Sequence, residues 1–240
     1  MNKIGKVLAV STLAATMLVG CGKKGAGTSS TDGAKYVKAG LGVVTSMGHS
    51  DSAEVNTTFV GLGLDSAGKI AWIDLDVAQG TPGGNELDKT KEQRKEDYQM
   101  KDASPIKKEW YEQAAAFEEF CKGKTPDEVS KIAVGDDGKP TDTDLSAGCT
   151  IVITDFQKAV AKAAENAQDV STNNLSLGRT MSYESDNYQQ PWTYLTTDLA
   201  LVATDDSGKI EWIDIDTAKI KNDGSVLETK TELKEKYNMK

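Results

Sequence analysis

Two stretches 140 residues apart nearly coincide: Gly68 to Asp76 reads GKIAWIDLD and Gly208 to Asp216 reads GKIEWIDID. The likeness continues on both sides. Leu41-Gly42 matches Leu177-Gly178, Asp65-Ser66-Ala67 matches Asp205-Asp206-Ser207, and KTKEQRKEDYQMK (89–101) matches TKTELKEKYNMK (229–240). A chain built this way must accommodate the same local unit twice. The expected organisation is one complete unit over residues 35–168 and the beginning of a second over 169–240, the second being shortened or fragmentary.

Within each unit the pattern is that of a hairpin. Residues 54–64 and 69–77 alternate as strands do, and Asp65-Ser66-Ala67-Gly68 supplies turn chemistry. In the second strand Ile73, Leu75 and Val77 share one face while Asp74 and Asp76 share the other, with Trp72 on the acidic side in need of cover. The acids then read as a solvated strand face, and so do Asp214 and Asp216. Two carboxylates are too few for a hard cation such as calcium, so no metal site is expected. In the second unit Leu199, Leu201, Ile213 and Ile215 lack following helices, and must borrow cover from the first unit or from another chain.

Thr90 with Gln93, and Thr229 with Glu232, have capping-box spacing for short polar helices. Ser104-Pro105 marks the start of the longest helix, whose Ile106, Trp110, Ala114, Phe117 and Cys121 form an apolar stripe before Gly123 ends it. Thr125 to Glu128 opens another short helix through Ala133, and Asp136 to Pro140 forms a turn. Beyond it lies a compact unit: small residues Ser146, Ala147, Gly148 and Cys149, then Thr150, a short apolar strand Ile151-Val152-Ile153, and a helix that starts with Thr154 and Gln157 at capping-box spacing. Hairpin, helices, strand and helix in that order predict an α+β fold, a small antiparallel sheet with helices packed on one face.

The segment from Asp144 to Thr150 resembles the flavin-attachment motif of the FMN-binding domain family of bacterial surface and respiratory flavoproteins, Asp-x-x-Ser-Gly-Ala-Thr/Ser. Asp144, Gly148 and Thr150 keep the motif's residues; Ala147 stands at the Ser and Cys149 at the Ala. The resemblance implies an FMN-binding-domain-like fold and FMN held covalently through Thr150 by a flavin transferase, or noncovalently against Trp110 or Tyr111. It further implies electron transfer to a redox partner, with Gly148 allowing close approach and Asp144 serving as a recognition or metal-contacting residue for the transferase. The flavin would do the redox chemistry while the protein positions it, so a carrier or binding protein is expected rather than a catalyst. The alternative is a binding or structural lipoprotein that has lost flavin, which Ala147 and Cys149 favour.

The N-terminus bears on location. Lys3 and Lys6 precede an apolar run from Val7 to Val19, and no acid occurs before Asp32. Residues 1–20 therefore read as an export signal ending in a lipobox, Leu18-Val19-Gly20-Cys21, with Cys21 as the lipidated residue that anchors the chain outside a membrane. Residues 21–34 are small and polar and read as a tether spanning about 20 Å. Removing the signal leaves 26 basic against 37 acidic side chains, a net charge of −11, which argues against nucleic acid as a partner. Cys121 and Cys149 could pair or remain buried thiols. His49, the only histidine, reads as a surface loop residue, and no catalytic triad, phosphate-binding glycine loop or CxxC spacing is present.

Overall fold

The computed structural model describes residues 36–48, 54–81, 88–186 and 192–237. The proposed signal, Cys21, the tether and His49 lie outside the described residues. Among the described residues seven strands form two antiparallel sheets. β1 (Tyr36–Met47), β2 (Val55–Leu64), β3 (Ile70–Gly80) and β4 (Gln168–Thr172) make the first, in the order β3-β2-β1-β4. β5 (Asn174–Glu184), β6 (Tyr194–Thr204) and β7 (Ile210–Lys221) make the second, in sequence order. Between β3 and β4 in sequence lie α1 (Lys91–Arg94), α2 (Trp110–Cys121), α3 (Pro126–Ser130), α4 (Thr143–Ser146) and α5 (Thr154–Glu165), and α6 (Lys230–Leu233) follows β7. The fold is mixed α+β.

The repeat is exact enough to survive in the registers. Gly42 pairs with Val60 in the first sheet, as Gly178 pairs with Ala200 in the second. Both hairpins close on the same turn: the Gly68 amide donates to the Asp65 carbonyl and the Gly208 amide to the Asp205 carbonyl, each at 3.0 Å, with both glycines at positive φ. The capping boxes at Thr90, Thr125 and Thr229 form as their spacing predicts.

Helices cover one face of the first sheet. Ile73, Leu75 and Val77 pack there with Phe117, Phe156 and Val160. α5 comes close enough to β1 that a Cβ on Gly42 would lie 2.1 Å from the carbonyl oxygen of Ala159. The outer edge of β3 is closed as well, since Glu118 of α2 accepts the Leu75 amide at 2.7 Å and Gly123 donates to Ile70 at 2.9 Å. An edge protected in this way offers no template for another strand.

The other face of the first sheet packs on the second sheet, so the molecule has three layers: helices, sheet, sheet. Leu41, Val43, Val55 and Phe59 meet Leu177, Leu195, Leu199 and Leu201 in a shared core. The second unit thus borrows cover for Leu199 and Leu201 from the first. Ile213 and Ile215, on the outer face, remain 46% and 60% exposed.

Several local expectations need correction. The acidic face of β3 is not solvated: Asp76 is 0% exposed and Asp74 is buried, because the second sheet lies over them and over Trp72. The helix expected from Ser104 begins at Trp110, six residues later. Lys107 adopts φ 54°, which breaks helical geometry, and Glu109 with Glu112 forms the capping box instead. Ile151 to Ile153 joins no sheet; Ile153 is the N-cap of α5, without a side-chain cap bond. Gln157 is not free to cap, for its amide donates to the carbonyls of Val129, Ser130 and Ile132. The helix expected through Ala133 ends at Ser130. Of the two readings of the cysteines, that of buried thiols holds: Cys121 and Cys149 are unpaired and both buried. Burial pushes both thiols up, Cys149 to about 11, so neither is a ready nucleophile.

Candidate functional site

The segment that carries the flavin-attachment resemblance is held against α2. Asp142 caps α4 by accepting the amides of Asp144 and Leu145 at 3.0 and 3.1 Å, which leaves the Asp144 side chain exposed on the first turn. The chain then turns back, with the Gly148 and Cys149 amides donating to the Leu145 carbonyl. Gly148 does allow a close approach, but to the protein itself: a Cβ there would lie 2.9 Å from the Ala116 Cβ of α2. Cys149 fills the core beneath.

Thr150 is half-buried, and both its amide and its hydroxyl donate to Gln113 Oε1, at 2.8 and 3.1 Å. Gln113 is itself completely buried, and its amide nitrogen donates to Ser104 Oγ and the Lys108 carbonyl at 3.0 and 3.1 Å. The hydroxyl is therefore part of a closed network that ties the loop to α2. Esterifying it would remove the hydroxyl's bond to Gln113, although the Thr150 amide would still donate to the same oxygen. Gly148 and Thr150 come together on the flank of α2, while the Asp144 side chain is exposed on α4.

Just beyond Thr150 an open cleft of about 580 Å³ lies between the start of α5, the start of α2 and the ends of the strands. Trp110, Tyr98, Phe156 and Met100 give it aromatic and apolar walls, Lys91 stands at it with Glu54, and Lys158 lines it paired with Asp155 at 2.8 Å. Lys91 Nζ sits 5.3 Å from the Tyr98 ring centre and 5.8 Å from that of Trp110. Ile151 and Val152 line the cleft, whereas Thr150 does not. Of the two aromatics expected near a flavin, Trp110 is present at the wall and Tyr111 is not; the Tyr111 hydroxyl donates to Glu96 at 3.0 Å. A volume of this size falls within the range of small-molecule sites.

A second cluster escaped the sequence reading. Arg179, on β5, reaches across the inter-sheet layer. Its Nη1 and Nη2 lie 2.9 and 3.0 Å from the two Asp74 oxygens, and Nη1 lies 3.3 Å from Asp76 Oδ2 and 3.1 Å from Glu92 Oε2. Asp76 also accepts the Thr90 hydroxyl and the amides of Val77 and Glu92. Burial nevertheless pushes the Asp76 carboxyl up to about 7, against the pull of Arg179 and these donors. For Arg179 burial acts downward, and the three carboxylates around it more than reverse that. The only sequence clue was the acid pair itself, because its cation stands over a hundred residues away.

Among the described residues no group of three or more His, Cys, Asp or Glu side chains could hold a metal ion, and no helix is long and apolar enough to cross a membrane. No protein-family model, no curated protein and no solved structure matches the chain.

Proposed function

We propose that this protein is an extracytoplasmic lipoprotein, anchored through Cys21, that acts as a binding module without covalent flavin. The observation that carries the reading is the commitment of the Thr150 hydroxyl to buried Gln113, with Gly148 filled by Ala116 rather than open to a ligand. Anchoring rests on the charged start, apolar run and Leu18-Val19-Gly20-Cys21 of the N-terminus, since a diacylated cysteine supplies the two chains that stable attachment needs.

Coexpression with a flavin transferase followed by intact-mass measurement tests the first half. An unmodified polypeptide is expected; an FMN adduct that disappears in Thr150→Ala would overturn it. Fractionation with and without Cys21→Ala tests the second, the wild type staying with membranes and the variant leaving them.

A second reading is favoured by the cleft beside Trp110. A flat, anionic ligand such as FMN could lie there noncovalently, its ring against Trp110 and Tyr98 and its phosphate near Lys91 or Lys158. Quenching of FMN fluorescence on titration with the protein supports this reading if Lys91→Glu and Lys158→Glu weaken it at least tenfold. FMN fluorescence that never changes removes it.

A further inference from the structure

The second unit repeats a strand face that the first unit covers with helices. On the first sheet Val60, Leu62, Ile70, Ile73 and Leu75 pack with Phe117 of α2 and with Phe156 and Val160 of α5, and none of the five is more than 5% exposed. Their counterparts in the repeat are Ala200, Val202, Ile210, Ile213 and Ile215. Every position stays apolar, yet Ile210, Ile213 and Ile215 are 56%, 46% and 60% exposed. They stand on the side of β6 and β7 that faces away from the first sheet, since Leu199, Leu201, Ala218 and Ile220 take the shared core. Exposed apolar side chains gathered on one face of one strand mark a contact surface, whereas scattered ones do not.

A glycine says what kind of contact. The backbone of α5 reaches β1 because Gly42 has no side chain there, a Cβ at that position lying 2.1 Å from the Ala159 carbonyl oxygen. Gly178 keeps the glycine at the matching place on β5, but the nearest heavy atom to a Cβ there is the Ala200 carbonyl oxygen of its own sheet, at 3.6 Å. Glycine weakens a strand and is kept where another backbone comes close. Charge narrows the partner further. Asp198 and Glu211 are exposed on this face, and its base, Lys219, is held by Glu184 at 2.6 Å, so the rim favours a cationic partner.

We propose that the outer face of the β5-β6-β7 sheet docks a basic amphipathic helix of another polypeptide, laid across Gly178 with its apolar side on Ile210, Ile213 and Ile215. The helix would take the place that α5 holds on the first sheet, and small residues on its contact side would meet Gly178 as Ala159 meets Gly42. This names a partner for the binding module proposed above. It uses neither Thr150, the cleft at Trp110 nor Cys21, so the two proposals fail in different experiments.

A fluorescein-labelled peptide of about 20 residues, long enough to form a helix, with leucine and alanine on one side and lysine on the other, tests the surface when titrated into the full chain and followed by anisotropy. A peptide of the same composition, scrambled so that no apolar side forms, is the comparison. Saturable binding is expected, at least tenfold tighter than for the scrambled peptide. It should be at least tenfold weaker in the double variant Ile213→Thr/Ile215→Thr, which keeps β-branched side chains on the strand, and in Gly178→Ile, which blocks the close approach. All three positions are exposed, and melting temperatures report whether the variants are folded; should one fail to fold, the other and the scrambled peptide decide. No saturable binding, equal binding of the scrambled peptide, or undiminished binding in the folded variants would each overturn the proposal. So would a wild-type chain that sediments as a dimer and turns monomeric in Ile213→Thr/Ile215→Thr, because a second copy would then be the cover.

Discussion

Arg179 is the side chain on which two buried acids, Asp74 and Asp76, and the partly buried Glu92 depend. Removing one member of a buried ionic cluster leaves the others uncompensated, which typically costs about 3–5 kcal/mol. Arg179→Ala should therefore lower stability by about that amount in urea unfolding at pH 8. The loss should shrink at pH 5, where Asp76 holds a proton and one negative charge fewer needs the arginine. Asp76 also predicts a pH dependence of its own. Its folded value of about 7 lies above the ordinary 3.8, so between these limits the folded chain binds a proton that the unfolded chain has released. Stability from this group is fully present below about pH 4, falls as the pH rises toward 7 and is flat above. Unfolding curves of wild type and Asp76→Asn taken from pH 4 to 8 should differ by this slope, and parallel curves would show that Asp76 stays ionised throughout. The Thr150 hydroxyl holds its loop to Gln113, a bond worth about 0.5–1.5 kcal/mol.

At the scale of elements, the two units use matching strands for different neighbours. β1 presents Gly42 to α5, where a methyl group would meet the Ala159 carbonyl at 2.1 Å. β5 presents Gly178 to open surface, where the nearest atom to such a methyl is the Ala200 carbonyl oxygen at 3.6 Å. Gly42→Ala should push α5 off the sheet and cost about 1–3 kcal/mol, the usual penalty of overpacking. Gly178→Ala should stay within about 0.5 kcal/mol of wild type. Thermal unfolding of the two variants side by side checks both. The hairpins, the threonine capping boxes and the apolar stripe of α2 were legible in the sequence because each depends on residues a few positions apart. The start of α2 and the cap of α5 were not, because Glu109 and Gln157 are claimed by contacts specific to this fold: Met100 donates to Glu109 at 2.8 Å, and the end of α3 engages Gln157.

Taken whole, the molecule is held together by the layer between its sheets. Leu41, Val55 and Phe59 from the first unit are buried only because Leu195, Leu199 and Leu201 from the second lie on them. A chain ending after Thr172 would expose that face of the first sheet, and it should lose cooperative unfolding or aggregate, whereas the full chain should unfold in a single urea transition by both tryptophan fluorescence and circular dichroism. Two separated transitions in the full chain would show that the halves fold independently. The repeat, the turns, the strand faces and the α+β composition followed from the sequence, since periodicity and local hydrogen bonding are properties of neighbouring residues. Which face of each strand meets water was settled only in three dimensions. Alternation divides Ile73, Leu75 and Val77 from Asp74 and Asp76 without saying what lies opposite either set, and the partner that makes burial of the acids tolerable, Arg179, arrives from another sheet.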